Sequence, residues 1–568
     1  MKIAIIGFGP RGLACLENLV LELSSIKTKL EPHFLIYEIS SHLGTGKAWE
    51  INQPKTNYIN ISDHALQNLK GREKMLFNTI EIPSFPSYIT WCKLQDKIQN
   101  IDQDEDVYPP RSQMGQYLNE RAKSIYNILK KENFLTIYKE RVTEVSFKNS
   151  VVTVKSEKST VNVEECLLTI GHTPVKDSDE TKEFKAHSNQ KHIIYIDNPY
   201  EEKIAIEELK DAIVAIKGFG LSMLDVARQL TNYKYGEFKE KQGSNYLQFI
   251  PEKGCVKKII PYSFDGLPCV PKPYGRKVDS SFEPSISQQN WFELTLKNKL
   301  LQPEKIDNCD FILKAFSHVA ATIYSHNSSN KVSVTKLEAI ANKWLQDTST
   351  AHDLILDTTL PTVKYMKQTV EMAWGNIEPT LDFHIGQVWR HLQPIMYRLF
   401  AFSGVSGDVI KQLIDIDQEV KRYSYGPPME SILQLIALHE AAILDLNYVN
   451  DPNVDIVESG WEITKNDTSV TAIMLCNSVM DAPVLQQTDS SIFKKLIEEK
   501  LIQPVHKDLG IKTNPDATII PAKKHKNIIP IAVVGRNTKG SIFGTDAILE
   551  CFSPETHDWE RGVVARVS

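Results

Sequence analysis

The stretch KIAIIGFGPRGLACLENL, Lys2 to Leu19, decides how this chain is read. An apolar run that suits a strand buried on both faces leads into Gly7, Gly9 and Gly12 at GxGxxG spacing, and a helix-periodic stretch follows. In such a turn the first glycine permits the tight bend. The second lets the backbone approach a pyrophosphate, and the third lets helix and strand pack closely. The helix start then offers unpaired N–H groups and the positive end of its dipole to phosphate. Pro10 has no N–H and fixes the turn, and Arg11 stands at the helix start, where its charge serves phosphate or solvent. The next apolar run, PHFLIYE, closes on Glu38, a carboxylate placed to accept from a ribose. Strand, helix and strand make a βαβ unit, so a parallel sheet with its ligand at the carboxyl ends of the strands is expected.

Working outward, a polar, Asn-rich stretch covers about 41 to 70. SQMGQYLNERAKSIYNILKKENF has helical periodicity, and a run of short β segments ends in ECLLTIG at Gly171. A second strand–turn–helix signal, DAIVAIKGFGLSMLDVARQLT, carries Gly218, Gly220, Ser222 and Asp225 but lacks the third glycine. Residues 233–253 are polar and read as a loop or insertion, and CVKKIIPYS reads as a strand. Between 287 and 446, NWFELTLKNKLL, VTKLEAIANKWLQD, IGQVWRHLQPIMYRLFAFSG and MESILQLIALHEAAILDLN are helix-like, with Gly426-Pro427-Pro428 at a helix start. Strands return at TAIMLCNSV and NIIPIAVVGRNTKG. Two glycine turns on βα units are explained together by a flavin site and a nicotinamide site on paired folds, with electrons passing between them.

The 568 residues allow two or three domains, and 42% hydrophobic with 24% charged residues is ordinary globular composition. A net charge of -6 gives no reason to expect nucleic acid. No apolar run is long enough for a bilayer, and no signal-peptide cleavage site follows Met-Lys. The eight cysteines are scattered without a CxxC pair, which disfavours a zinc ribbon and a redox disulfide and points to reduced thiols in a cytoplasmic protein. His384 and His391 are spaced to share a helix face, but no further ligands complete a metal set, so no metal is expected.

GFGPRGLACLENL, YPPRSQMGQYL, LLTIGHTP, GFGLSMLDVARQLT and RYSYGPPMESILQLIAL together resemble the FAD/NAD(P)-binding proteins grouped with bacterial FAD-dependent urate hydroxylase and aspartate N-monooxygenase. The wider relatives are the N-hydroxylating and class B flavin monooxygenases. The resemblance implies that Gly7, Gly9 and Gly12 hold the FAD pyrophosphate and Glu38 its ribose. It implies that Gly44 to Trp49, GTGKAW, runs along the FAD, with Trp49 either covering the flavin or standing as a half-buried aromatic. Asn60 in YINIS falls in a segment that borders the isoalloxazine, as a donor to a flavin peroxide or as a turn residue. Arg111 in YPPR is a cation for FAD phosphate, NAD(P)H or an anionic substrate, or else a surface ion pair. Gly171 and His172 in TIGH lie near the flavin, the histidine as a cap rather than a base. Relatives often carry Ser-Arg after the strand that follows the second turn, for the NADPH 2′-phosphate. Here Ser263 is followed by Phe264 and Asp265, so Asp265 predicts better use of NADH, with Lys257 and Lys258 close in sequence.

The expected fold is α/β, with two dinucleotide-binding, Rossmann-like folds and a helical segment. Residues 1–200 are read as the FAD-binding domain, 201–286 as the NAD(P)-binding region and 287–446 as a helical substrate or cap region. Residues 447–568 are read as completing the FAD domain. The resemblance implies an NAD(P)H-dependent monooxygenase acting on a small polar substrate with O₂ through a C4a-(hydro)peroxyflavin. The rival readings are a flavin reductase or oxidase that releases peroxide, and a non-enzymatic FAD/NAD(P)-binding protein. Neither nucleic acid nor membrane is an expected partner, and oligomeric state stays open.

Overall fold

The computed structural model describes residues 1–25, 31–97, 104–189, 193–525, 527–553 and 558–567. Two parallel sheets organise them. In the first, the strands Lys2–Ile6, His33–Tyr37, Leu135–Tyr138, Glu165–Leu168 and Ile531–Val533 stand in the spatial order 531–533, 165–168, 2–6, 33–37, 135–138. All four pairings are parallel. Alternate residues of the opening strand face opposite layers, as a period of two requires. Ile3 and Ile5 pack with Leu13 and Leu16 of the following helix and with Leu129. Ala4 and Ile6 pack with Val145, Val154 and Leu496. Both faces are covered, which is why the strand reads as a continuous apolar run.

The second sheet is built from Ile194–Ile196, Ile213–Lys217, Lys258–Tyr262 and Met474–Asn477, again all parallel, in the order 194–196, 474–477, 213–217, 258–262. The α/β architecture with two Rossmann-like units and a helical segment is therefore the one expected from the sequence. The division of the chain between the sheets is more interlaced than the expected boundaries. Residues 194–196, inside 1–200, lie at the edge of the second sheet. The segment 447–568 divides, since 474–477 is a central strand of the second sheet and 531–533 closes the first.

Residues 233–253 contain an antiparallel hairpin, Gly236–Glu240 with Leu247–Pro251, rather than a loop. Phe238 and Phe249 meet across it with ring centroids 4.9 Å apart. The helical segment holds Ile286–Leu300, Val334–Gln346, Leu381–Phe400 and Met429–Glu440, as expected. It adds Asp310–Asn327, Thr362–Trp374 and Gly407–Ser424. Pro428 stands just outside the helix it introduces, as its N-cap. These helices share one core with the second sheet, with Phe316, Trp389 and Ile436 in the same cluster as Val214, Ile216 and Ile259.

Candidate functional site

The first turn sits at the carboxyl end of the central strand of its sheet. Gly7 takes φ +83°, a conformation that a side chain resists, and a Cβ there would lie 2.7 Å from the Thr169 carbonyl oxygen. A Cβ on Gly12 would lie 2.6 Å from the Gly7 carbonyl oxygen, so strand and helix meet only because position 12 is bare. Gly9 differs. A Cβ there meets nothing closer than the Gly46 Cα at 3.4 Å. The Cβ position of Gly9 is thus in ordinary contact with the loop holding Gly46, without the backbone clash found at Gly7 and Gly12.

Gly9 is the N-cap of the Pro10–Ser24 helix, Pro10 is its first residue, and its first turn has neither a side-chain cap nor an acidic residue. A helix start of this kind favours an anion. The Glu38 carboxylate reaches across the turn, accepting the Phe8 N–H at 2.7 Å and the Ser40 N–H at 2.8 Å. Across from Gly9, Gly44 has φ +89° and its N–H donates to the Phe8 carbonyl at 2.8 Å. Trp49 is half-buried at the end of that loop. Its carbonyl packs so tightly on the Arg111–Lys131 helix that only a glycine fits at Gly115. Gly171 has φ +65° with open space where a Cβ would be, and its carbonyl accepts from the Asn537 side chain at 2.8 Å. A bare helix start, an acid at the next strand end and open space at Gly171 fit an FAD laid along this edge. Gly9 and the helix start would hold its pyrophosphate, and Glu38 its ribose.

Arg11 is placed differently from the expected phosphate contact. Its guanidinium donates to the Thr545 carbonyl at 2.9 Å and lies 3.9 Å from Glu550, fastening the C-terminal segment to the first helix. Asn537 and Thr173 were not singled out in the sequence. Thr173 donates to the Asn537 side chain at 3.1 Å, and the signal for them was the polar turn GRNTKG after the last strand.

The second turn repeats the first. Gly218 has φ +102°, Gly220 caps the Leu221–Thr231 helix, and nothing lies within 4 Å of a Cβ on Gly220. Ser222 and Asp225 are buried in that helix. The Asp225 carboxylate is held by three protein groups: the Tyr200 hydroxyl donates at 2.7 Å, Arg111 lies at 2.9 Å and Arg228 at 3.6 Å. Arg111 also donates to the Tyr58 carbonyl at 3.1 Å, and its guanidinium lies over the Tyr200 ring. The structure thus brings two expected site residues together as a buried ion pair between the Arg111–Lys131 and Leu221–Thr231 helices. Asp225 and Arg111 satisfy each other, whereas the sequence reading had placed one at the cofactor and the other at an anion.

Asn60 makes a separate set of contacts. Its amide donates to the Tyr425 carbonyl at 3.0 Å, and its side-chain oxygen accepts from Lys272 at 3.1 Å. The Lys272 ammonium also donates to the Asn60 backbone carbonyl and lies 5.7 Å from the centre of the Tyr108 ring. Among the described residues it has no carboxylate partner within ion-pair distance. Burial, helped by the Arg390 charge, pulls its pKa down from 10.5 to about 7, against the weaker pull of Asp106 and Asp279. Lys272 was not visible as a site residue in the sequence, where it is one of several lysines between prolines.

The linkage runs in one direction. The folded pKa lies below the unfolded one, so between pH 7 and 10.5 the unfolded chain binds a proton that the folded chain has released, and stability rises with pH across that window. Thermal unfolding of wild type and Lys272→Met between about pH 7 and about pH 9.5 is expected to show a wild-type rise that the variant lacks. Parallel curves would refute it.

His384 is a core residue, packed edge-on against Phe282 and Tyr324, and burial lowers its pKa to about 4. His391 lies 3.7 Å from Asp279, so the two histidines do not share a site. Asp63, His64 and Asp106 place one ligand atom each within 4.8 Å of one another, a grouping that sequence spacing did not suggest. His64 and Asp106 are joined by a 2.6 Å hydrogen bond.

Residues 4–173 match the family model described as FAD-NAD(P)-binding. Over 574 aligned residues the chain is 22% identical to nitrosuccinic acid synthase npaA of Aspergillus oryzae, covering 91% of this chain and 84% of that protein. Among solved structures it is similar to L-lysine 6-monooxygenase from Pseudomonas syringae, at 10% identity and a TM-score of 0.43, covering 100% of this chain and 98% of that one. It is also similar to cyclohexanone monooxygenase from Rhodococcus sp. Phi1 bound to NADP+, at 11% identity and a TM-score of 0.41, covering 100% and 84%. No helix among the described residues is long and apolar enough to cross a membrane. The glycine turn at the end of the opening strand, the acid that faces it and the family match over the same residues make the N-terminal part of this chain an FAD-NAD(P)-binding domain.

Proposed function

We propose that this chain is an FAD-dependent monooxygenase that oxidises NAD(P)H and transfers oxygen from O₂ to a small polar molecule. The observation that carries this reading is the pair of uncapped helix starts, at Gly9 and Gly220, each at the carboxyl end of a strand of a parallel sheet. When bound, FAD accepts a hydride from the nicotinamide and supplies the chemistry with oxygen. The protein's part is to hold and orient. Gly9 and the first helix hold one pyrophosphate and Gly220 the other. Glu38 accepts from the ribose, and the Arg111–Asp225 pair fixes one nucleotide unit against the other.

The Asn60–Lys272 pair places an amide and an amine side by side where the 57–64 loop meets the segment before the helices. That supports a substrate bearing an acid group, in keeping with a relative whose name describes a nitrogen-oxygenated succinic acid. The domain assignment proposed here gives 1–173 and 485–567 to the FAD unit, and the Asp179–Ser188 helix, whose Phe184 packs with Ile260 and Trp461, to the nicotinamide unit. Residues 194–262 and 453–477 go to the nicotinamide unit, with the helices between them.

The test is spectroscopic. Purified protein loaded with FAD is expected to bleach when NADH or NADPH is added without oxygen. With oxygen and a panel of small amino acids and dicarboxylic acids, uptake is expected to exceed peroxide release for the true substrate. Uptake matched by peroxide for every compound would favour an oxidase, and a flavin that neither nucleotide bleaches would favour a non-enzymatic role.

A further inference from the structure

Two stretches of loop, 57–63 and 107–111, run antiparallel beside each other. The Arg111 N–H donates to the Asn57 carbonyl at 2.8 Å, the Ile59 N–H to the Pro109 carbonyl at 2.9 Å and the Asp63 N–H to the Val107 carbonyl at 2.9 Å. The Val107 N–H returns to Asp63 Oδ1 at 3.0 Å, and that oxygen also accepts the His64 N–H at 3.0 Å. This ladder fixes Asp63 and delivers Asp106 to the imidazole of His64. Nδ1 of that ring lies 2.6 Å from Asp106 Oδ1 and 3.8 Å from Asp63 Oδ1.

Two features of this group are unanswered by its protein neighbours. Two carboxylates face one imidazole, and among the described residues neither has a lysine or arginine within ion-pair distance. The basic side chains on this side of the protein are engaged elsewhere, Lys272 with Asn60 and Arg390 with Asp279. In addition, Asp63 is 1% exposed at its side chain, and its Oδ2 is buried without a hydrogen-bond donor. Leaving a carboxylate oxygen in that state is costly, and a cation seated on Asp63 supplies the missing partner.

We propose that Asp63, His64 and Asp106 bind a divalent transition-metal cation, with zinc the best match. One imidazole nitrogen and two carboxylate oxygens form a donor set that zinc accepts, with water in the fourth position. The ion replaces the proton that His64 and Asp106 share. At a zinc–ligand distance of about 2.0 Å, tetrahedral ligands stand about 3.3 Å apart. The 2.6 Å pair therefore opens and the 3.8 Å pair closes, each by less than about an ångström, which side-chain rotation supplies without disturbing the ladder. The N–H groups of His64 and Val107 on Asp63 Oδ1 are the kind of outer support that orients a ligating carboxylate. His64 and Asp106 are partly exposed, so the ion has a way in from solvent. Once bound, it clasps the turn that follows Asn60 to the segment that leads into Arg111.

The full chain, stripped with a chelator, is titrated calorimetrically with ZnCl₂. Wild type is expected to bind one equivalent with Kd below about 10 μM. His64→Gln and Asp106→Asn are each expected to weaken binding by about a hundredfold or more. Asp63 is left intact because its carboxylate also accepts two backbone N–H groups. Unfolding midpoints without metal show which variants fold, and either one alone carries the test. ZnCl₂ is expected to raise the midpoint of wild type and to leave both variants where they were. MgCl₂ is expected to bind far more weakly, since magnesium dehydrates reluctantly and prefers an octahedral oxygen set. No saturable zinc binding, equal affinity in wild type and the variants, or magnesium binding as tight as zinc overturns the inference.

Discussion

Replacing Gly9 by valine is expected to lower FAD affinity by about two orders of magnitude, roughly 2.7 kcal/mol, while leaving the protein folded. The structure separates this position from its neighbours. A side chain on Gly12 runs into the Gly7 carbonyl at 2.6 Å, so substitution there disrupts the packing of strand on helix before any ligand is considered. Gly9 has an ordinary extended backbone, φ -81° and ψ -163°, and its Cβ would touch the Gly46 backbone without clashing, 3.4 Å from Cα and 3.6 Å from N. The valine methyls therefore occupy the space from which a pyrophosphate approaches the helix start, with little cost to the apo fold. Flavin content after purification, FAD titration by fluorescence quenching and the unfolding midpoint without FAD would be measured together. Wild-type FAD affinity in the variant would show that the pyrophosphate lies elsewhere.

Arg111→Ala is expected to destabilise the protein by about 3 kcal/mol, because Asp225, 4% exposed at its side chain, would keep its charge and lose its nearest cation. Arg228 stands farther off at 3.6 Å, and the Tyr200 hydroxyl alone is a weaker partner. The double variant Arg111→Ala with Asp225→Asn is expected to recover part of the loss, since it removes the orphaned charge as well. Urea unfolding of the four proteins of this cycle measures the coupling. Had Arg111 been the anion site that its place after YPP suggested, its removal would raise KM and leave stability nearly intact, and that outcome would overturn the structural assignment.

The first turn was legible because its signals are local. Gly7, Gly9, Gly12 and Glu38 lie within one βαβ unit, and the apolar run before them has a single structural meaning. The pairing of Arg111 with Asp225 was not legible, because it joins residues 114 positions apart whose separate contexts each resembled a ligand contact. Lys272 gave no signal at all. Its character comes from Asn60, Tyr108 and Arg390, which only the tertiary fold brings around it. The partner of Asp265 was not legible for a related reason: its ion pair with Arg422 joins residues far apart in sequence, and proximity to a strand end says nothing of register.

The place of the strand Met474–Asn477, between 194–196 and 213–217, has a consequence for biosynthesis. A chain emerging from the ribosome makes three of the four strands of that sheet within its first 262 residues, yet the strand that joins 194–196 to 213–217 arrives more than two hundred residues later. The other sheet waits for 531–533 in the same way. Strands so far apart in sequence close large loops late, and such topologies fold slowly. The nascent protein therefore carries an unpaired edge on Ile213–Lys217 until Met474–Asn477 has been made, and over that interval the edge is open to pairing with other chains.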